Sequence, residues 1–224
     1  IIALEAFDEL GVKPDLIAGT SIGALIGGGY ASGMSGREIR EHTLSIFANI
    51  PGLVGRLWSI RPKRRFGRST LFPQFDPEEV LNVVLPDRVH GNIEDVPVPL
   101  RLIATDYFGW CEKVLSDGDL RKGIAASMAL PMLFTPVEYG EALLIDGGAS
   151  NPLPFAHVSG KDVVIAIDVM GGPEPHELHR IPRPTAAMFG AMQILTQVVI
   201  AEKLANHSPD VLISPPINQF KILD

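Results

Sequence analysis

Leu16-Ile-Ala-Gly19-Thr-Ser21-Ile-Gly23-Ala-Leu-Ile26 is the stretch on which the fold turns. Three apolar residues, Leu16–Ala18, read as a short buried strand, and Ala24-Leu25-Ile26 opens an apolar helical stretch. Between them stands G-x-S-x-G, with Gly19, Ser21 and Gly23 in the fixed positions. A strand that reverses sharply into a helix brings neighbouring backbone close, so the flanking positions must lack bulk. Such a bend lifts the Ser21 hydroxyl clear of the sheet. It also sets the Ile22 N–H at a helix N-terminus, where it can donate to a developing oxyanion. The plainer reading is a tightly packed turn or a phosphate cradle, but no G-x-G-x-x-G or G-x-x-x-x-G-K-[ST] accompanies it. About 0.1 copies of the pattern are expected by chance in a chain of this composition, so Ser21 needs a partner before it counts as a nucleophile.

Outward from that bend, short apolar runs alternate with helical patterns. Leu100–Thr105, Leu143–Ile145, Val163–Val169 and Val211–Ser214 are the further strand candidates. This alternation predicts an α/β fold, a three-layer sandwich around a mostly parallel central sheet. Ser35 and Glu38 have capping-box spacing, so a helix starts near Gly36. Asp76-Pro77-Glu78-Glu79 supplies an N-cap, a proline at the first position and acids in the first turn of another. Val137–Ile145 reads as a hairpin turning at Gly140 and running into Asp146.

The chain has 224 residues, 46% of them hydrophobic and 20% charged, which excludes disorder. Its net charge of −7 speaks against a nucleic-acid binder. One cysteine, Cys111, excludes an intrachain disulfide, and the absence of Cys/His clusters, H-E-x-x-H and EF-hand patterns predicts no metal. Two stretches imitate membrane spans. Leu16–Gly36 has 21 uncharged residues, but seven are glycine. Pro184–Ala201 carries Met188, Met192, Leu195 and Val199 on one stripe, and is read as a helix packed on a soluble core. The start at Ile1, with no methionine and no signal segment, reads as a cut end.

A serine nucleophile requires a base. His42, His90, His157, His176, His179 and His207 are available, but none follows an apparent strand in a short loop. Asp146 does sit in such a place, ending Leu143–Ile145 ahead of Gly147-Gly148. A carboxylate can take the role of the imidazole if burial raises its pKa. Its plainer reading is a turn-closing or capping acid. Asp106 and Ser127 are assigned to packing and turn geometry, and Asp168 to a strand end that could hold a ligand. A Ser–His–Asp esterase stays open as the alternative.

Several spaced segments now fall into one pattern: Pro14-Asp-Leu-Ile-Ala-Gly-Thr-Ser-Ile-Gly-Ala24 after a helix at Leu4–Leu10, Ala104-Thr-Asp106, Ala126-Ser-Met-Ala-Leu-Pro131-Met-Leu-Phe134, and Asp146-Gly-Gly148 followed by Asn151-Pro152. In these the chain resembles the patatin-like phospholipase family over almost its whole length. The resemblance implies a Ser–Asp dyad hydrolase of lipid esters, with Ser21 as nucleophile, Asp146 as base and no cofactor. It also implies a first strand and a glycine-rich oxyanion loop ahead of the first helix. The sequence opens inside that helix, so the expectation is one hydrolase domain over 1–224 without that strand and loop. The Ile22 amide is then the one oxyanion donor left, and a sheet edge is left unpaired. A non-catalytic lipid-binding or regulatory protein on the same scaffold is the further alternative.

Between His42 and Phe75 there is no acid, while Arg56, Arg61, Lys63, Arg64, Arg65 and Arg68 are interleaved with Trp58, Phe66 and Phe72. Arg56–Phe72 is either a peripheral contact with an anionic membrane, a solvated loop, or a stretch whose bases pair with the chain's own acids. The expected location is cytoplasmic, or peripheral at a membrane.

Overall fold

A computed structural model describes residues 1–48, 52, 55–56, 74–160, 162–171, 181 and 183–217. The basic stretch Arg56–Phe72 lies, Arg56 apart, outside the described residues, as do His176 and His179.

The chain begins with helix α1 (Ile2–Glu9) and passes through strand β1 (Ile17–Thr20) into α2 (Ile22–Ala31) and α3 (Gly36–Phe47). After α4 (Pro77–Val84) come β2 (Leu100–Asp106), β3 (Cys111–Leu115), α5 (Leu120–Ser127), and the hairpin β4 (Val137–Tyr139) and β5 (Ala142–Asp146). Strand β6 (Ile165–Ile167), the long helix α6 (Pro184–Asn206) and β7 (Val211–Ile213) complete it.

The local signals act as their chemistry requires. Ser35 Oγ accepts from the Glu38 N–H, and Glu38 reaches back to the Ser35 N–H, closing the capping box of α3. Asp76 caps α4 through the Glu78 N–H, with Pro77 at the first position. Gly140 turns the β4–β5 hairpin at φ +61°.

Strand β2 organises the sheet. Its residues Leu102–Asp106 pair antiparallel with β3 along one edge. The other edge is shared by two strands end to end. Strand β1 runs parallel to Leu100–Ile103, and β5 runs antiparallel to Ala104–Asp106. The C-terminal residues of β1 and β5 therefore meet, Thr20 beside Ile103 and Asp146 beside Ala104. Among the described residues no strand pairs with the outer edge of β1.

The sheet is mixed α/β architecture rather than mostly parallel. Among the described pairings of this sheet, β1–β2 alone is parallel, and β6–β7 form a separate parallel pair. The reason is local: β2–β3 and β4–β5 are joined by turns too short for a parallel crossover. Strand β3 escapes the apolar-run signal because Glu112 and Lys113 interrupt it, as suits a strand with one solvated face. Strand β6 occupies only the centre of its expected range, and β7 all of its range but the last residue.

The main core lies between this sheet and α2 and α5, where Leu102, Leu120, Ile124 and Leu144 are fully buried. A smaller cluster joins Leu153, Phe155, Ala166 and Ile200. Helix α6 forms where its apolar spacing puts it, but only part of the expected stripe is covered, with Met192 and Val199 half-buried. Met188 and Leu195 are 44% and 66% exposed. The packed face is instead partly polar: Gln193 and Gln197 donate to the Gly171 and Met170 carbonyls. These half-buried donors need acceptors more than the methionines need cover. The helix is long and apolar enough to cross a membrane by length and composition.

Candidate active site

The site forms where β1 and β5 abut. Strand β1 continues through Gly19-Thr20, two residues past the expected end, so that the bend falls on Ser21 itself. Ser21 takes φ +54° with ψ −118°, a sparsely populated positive-φ conformation that costs about 1–3 kcal/mol. Gly19 makes the bend possible: a Cβ there would lie 2.4 Å from the Gly23 carbonyl oxygen. Gly147 does the same on the other strand, where a Cβ would lie 2.2 Å from the Ile103 carbonyl oxygen.

These two close approaches bring the side chains together. Ser21 Oγ donates to Asp146 Oδ2 at 2.6 Å. Asp146 Oδ1 accepts from the Gly148 N–H at 2.7 Å. The carboxyl is only 4% exposed. Burial pushes its pKa up to about 6, against the smaller opposing effects of the bonds from Ser21 and Gly148. The group is thus a stronger base than an ordinary aspartate, and still ionised at neutral pH. Ile22 is the first residue of α2, where an N–H has no intrahelical acceptor.

Ser127 holds the bend from below. Its buried hydroxyl accepts from the Ser21 N–H at 3.0 Å and donates to the Ile103 carbonyl at 2.5 Å. The sequence reading placed Ser127 in packing; it packs against the backbone of Ser21 itself. Asp106 closes the β2–β3 turn by accepting from the Phe108 and Gly109 N–H groups. Asp168 likewise accepts from the Met170 N–H.

A polar network that sequence reasoning missed lies behind the bend. The Asn151 carbonyl accepts from Thr20 Oγ1 at 2.7 Å. Its side chain donates to Glu112 Oε2 at 2.6 Å and accepts from Lys203 Nζ at 2.5 Å. Glu112 also pairs with His157 Nε2. The signal available was Asn151-Pro152 closely following Asp146-Gly147-Gly148, but no spacing in the sequence points from Asn151 to Lys203.

Among the described residues the histidines are engaged elsewhere or on the surface. His42 bonds the Val84 carbonyl, His90 the Asp87 carbonyl and His157 Glu112, while His207 is exposed at the end of α6.

Comparison with known proteins bears on this arrangement. A family model described as patatin-like phospholipase matches residues 1–158. The chain belongs to that family. An NTE family protein of Mycobacterium tuberculosis is 30% identical over 209 residues, covering 83% of this chain and 52% of the relative. The patatin-like phospholipase domain-containing protein 6 of Homo sapiens is 34% identical over 179 residues, covering 74% of this chain and 12% of that protein. Protein 7 of the same description, from Rattus norvegicus, is 33% identical over 172 residues, with the same coverage. The chain thus spans about half the length of the mycobacterial relative. The matched region of the family model contains both Ser21 and Asp146.

Proposed function

We propose that this chain hydrolyses carboxylic-ester bonds of phospholipids or related acyl lipids, with Ser21 as nucleophile and Asp146 as its base. The observation that carries the reading is the 2.6 Å hydrogen bond from Ser21 Oγ to a buried carboxylate. The patatin-like membership and the phospholipase-domain relatives supply the substrate class.

In this reading Asp146 Oδ2 takes the proton of Ser21 as Oγ attacks the acyl carbonyl. The Ile22 N–H donates to the oxyanion. The tetrahedral intermediate collapses to an acyl-serine, and the proton on Asp146 passes to the departing alcohol or lysolipid. A water then gives its proton to Asp146 and attacks the acyl-serine, releasing the fatty acid and restoring Ser21.

Replacing Ser21 by Ala and, separately, Asp146 by Asn tests it against a p-nitrophenyl ester and a phospholipid. Loss of turnover in both, with fluorophosphonate labelling lost in Ser21→Ala, is the expected result. Undiminished turnover in either variant refutes the dyad. Loss confined to one histidine variant favours the Ser–His–Asp esterase. A wild-type chain that binds lipid but resists the fluorophosphonate is a lipid-binding protein on this scaffold.

A further inference from the structure

The turn joining β2 to β3 carries Tyr107-Phe108-Gly109-Trp110. Its three aromatic side chains are 52%, 75% and 90% exposed. Packing therefore does not explain them. The backbone does not explain Trp110 either, since it sits at φ +53°, where glycine or asparagine is the less strained choice. A tryptophan kept at an exposed and strained position contributes something other than stability. The turn is also well held. Asp106 Oδ1 accepts from two of its N–H groups, the Trp110 N–H donates to the Asp106 carbonyl, and Tyr107 and Phe108 meet edge to face at 5.1 Å. The aromatic tip is thus presented at little cost in chain entropy on contact.

Its direction is fixed by the sheet. Strands β1 and β2 are parallel, with Thr20 beside Ile103. The chain leaves β1 at Ser21 and leaves β2 at Tyr107, about 10 Å further along the same direction. The tip therefore projects beyond the Ser21 level at the same end of the sheet.

We propose that Tyr107, Phe108 and Trp110 form a membrane anchor that inserts into a zwitterionic lipid surface and sets Ser21 facing it. The choice of lipid as occupant rests on the acyl-lipid reading above. Tyr and Trp, with an apolar body and a polar handle, suit the boundary between headgroups and acyl chains. A protein partner fits less well. Three aromatic side chains offer at most roughly 600 Å², below the ~800 Å² per partner of a stable protein interface. Charge selects the kind of lipid. The groove beside the tip is lined by Asp106, Asp117 and Glu141 against Lys113 alone, which disfavours an anionic surface.

The test uses the two tryptophans. With Trp58→Phe, Trp110 is the sole indole, and its emission is read on phosphatidylcholine vesicles with and without brominated acyl chains. A blue shift and quenching by the brominated lipid are expected. Phe108→Ser with Trp110→Gly should lower vesicle partitioning about tenfold or more. The same pair should leave Tm within a few degrees and turnover of a soluble short-chain ester within about twofold. Emission unmoved by vesicles overturns the anchor. So does a shift produced by concentrating the protein alone, which marks a protein contact, or insertion confined to anionic vesicles. The Ser21→Ala variant should insert like wild type. Insertion without any ester turnover refutes the hydrolase and leaves the anchor, whereas turnover without insertion refutes the anchor and leaves the hydrolase.

Discussion

Ser21 and Asp146 are 125 positions apart in the chain and 2.6 Å apart in space, because the strands that carry them end against each other on one edge of β2. Neither strand needs a long loop to aim its side chain. The parallel strand delivers the hydroxyl, the antiparallel strand delivers the carboxylate, and the two small residues Gly19 and Gly147 let the backbones close in.

The pH dependence of turnover follows from the buried carboxylate. A base must be unprotonated to accept the serine proton, and Asp146 gains its charge at about pH 6. With a soluble ester, kcat/KM should fall about tenfold per pH unit well below 6 and level off above it. Gln in place of any one histidine, including His157, should leave that midpoint where it is. A midpoint abolished by one such change would assign the base to imidazole.

Stability should run the opposite way. The pKa of Asp146 is higher in the folded chain than the ordinary 3.8. The protonated form is therefore favoured by folding, and this contribution is complete below about pH 3.8 and lost as pH rises through 6. The shift corresponds to about 3 kcal/mol against the ionised, folded site at neutral pH. Asp146→Asn keeps an acceptor for Gly148 and removes the charge. It should raise Tm relative to wild type at pH 8, with the difference shrinking towards pH 4, while lowering kcat by about 10²–10⁴. Equal Tm differences at both pH values would show that the carboxyl is not paying for its burial.

The bend itself is testable without touching the dyad. Gly19→Ala places a methyl group 2.4 Å from the Gly23 carbonyl, an overlap of backbone that no rotamer relieves. Destabilisation of about 1–3 kcal/mol or more is expected, together with loss of turnover. Ser21→Gly relaxes the φ +54° strain and should bring no such loss of stability, while on the proposed dyad it should end turnover. Urea unfolding of the two variants separates bend geometry from chemistry.

How much of this was legible in the sequence depended on whether the cause was local. Ser35 and Glu38, Asp76 and Pro77, and the turn at Gly140 act within four residues, and each element begins or turns where the chemistry places it. The bend at Ser21 was legible from its glycines, and Asp146 from the glycines that follow it. The mixed sheet was less so, because Cys111–Leu115 carries charge at Glu112 and Lys113 and shows no apolar run. Helix α6 covers less of its apolar stripe than the spacing predicts, with Met188 and Leu195 exposed. Its apolar period is real, but Gln193, Gln197 and Lys203 are the residues with fixed acceptors, and those acceptors lie in loops far along the chain.

That last group gives a further expectation. Asn151 is 1% exposed and joins three parts of the molecule: its carbonyl receives Thr20, its amide donates to Glu112, and its amide oxygen receives Lys203 from α6. Asn151→Ala leaves the backbone bond to Thr20 in place but strips a carboxylate and an ammonium of their neutral partner. The bonds involve charged groups yet are partly open to solvent at Lys203, so a loss of about 2–3 kcal/mol is expected rather than the sum of two full charged bonds. For a chain of this size that lowers Tm by roughly 4–12 °C. Lys203→Met removes one of the two bonds and should cost less. Because Lys203 lies on α6, hydrogen exchange should rise in α6 for both variants, but in β3, which carries Glu112, only for Asn151→Ala. Equal protection of α6 in wild type and Lys203→Met would show that the ammonium does not fasten that helix to the rest of the fold.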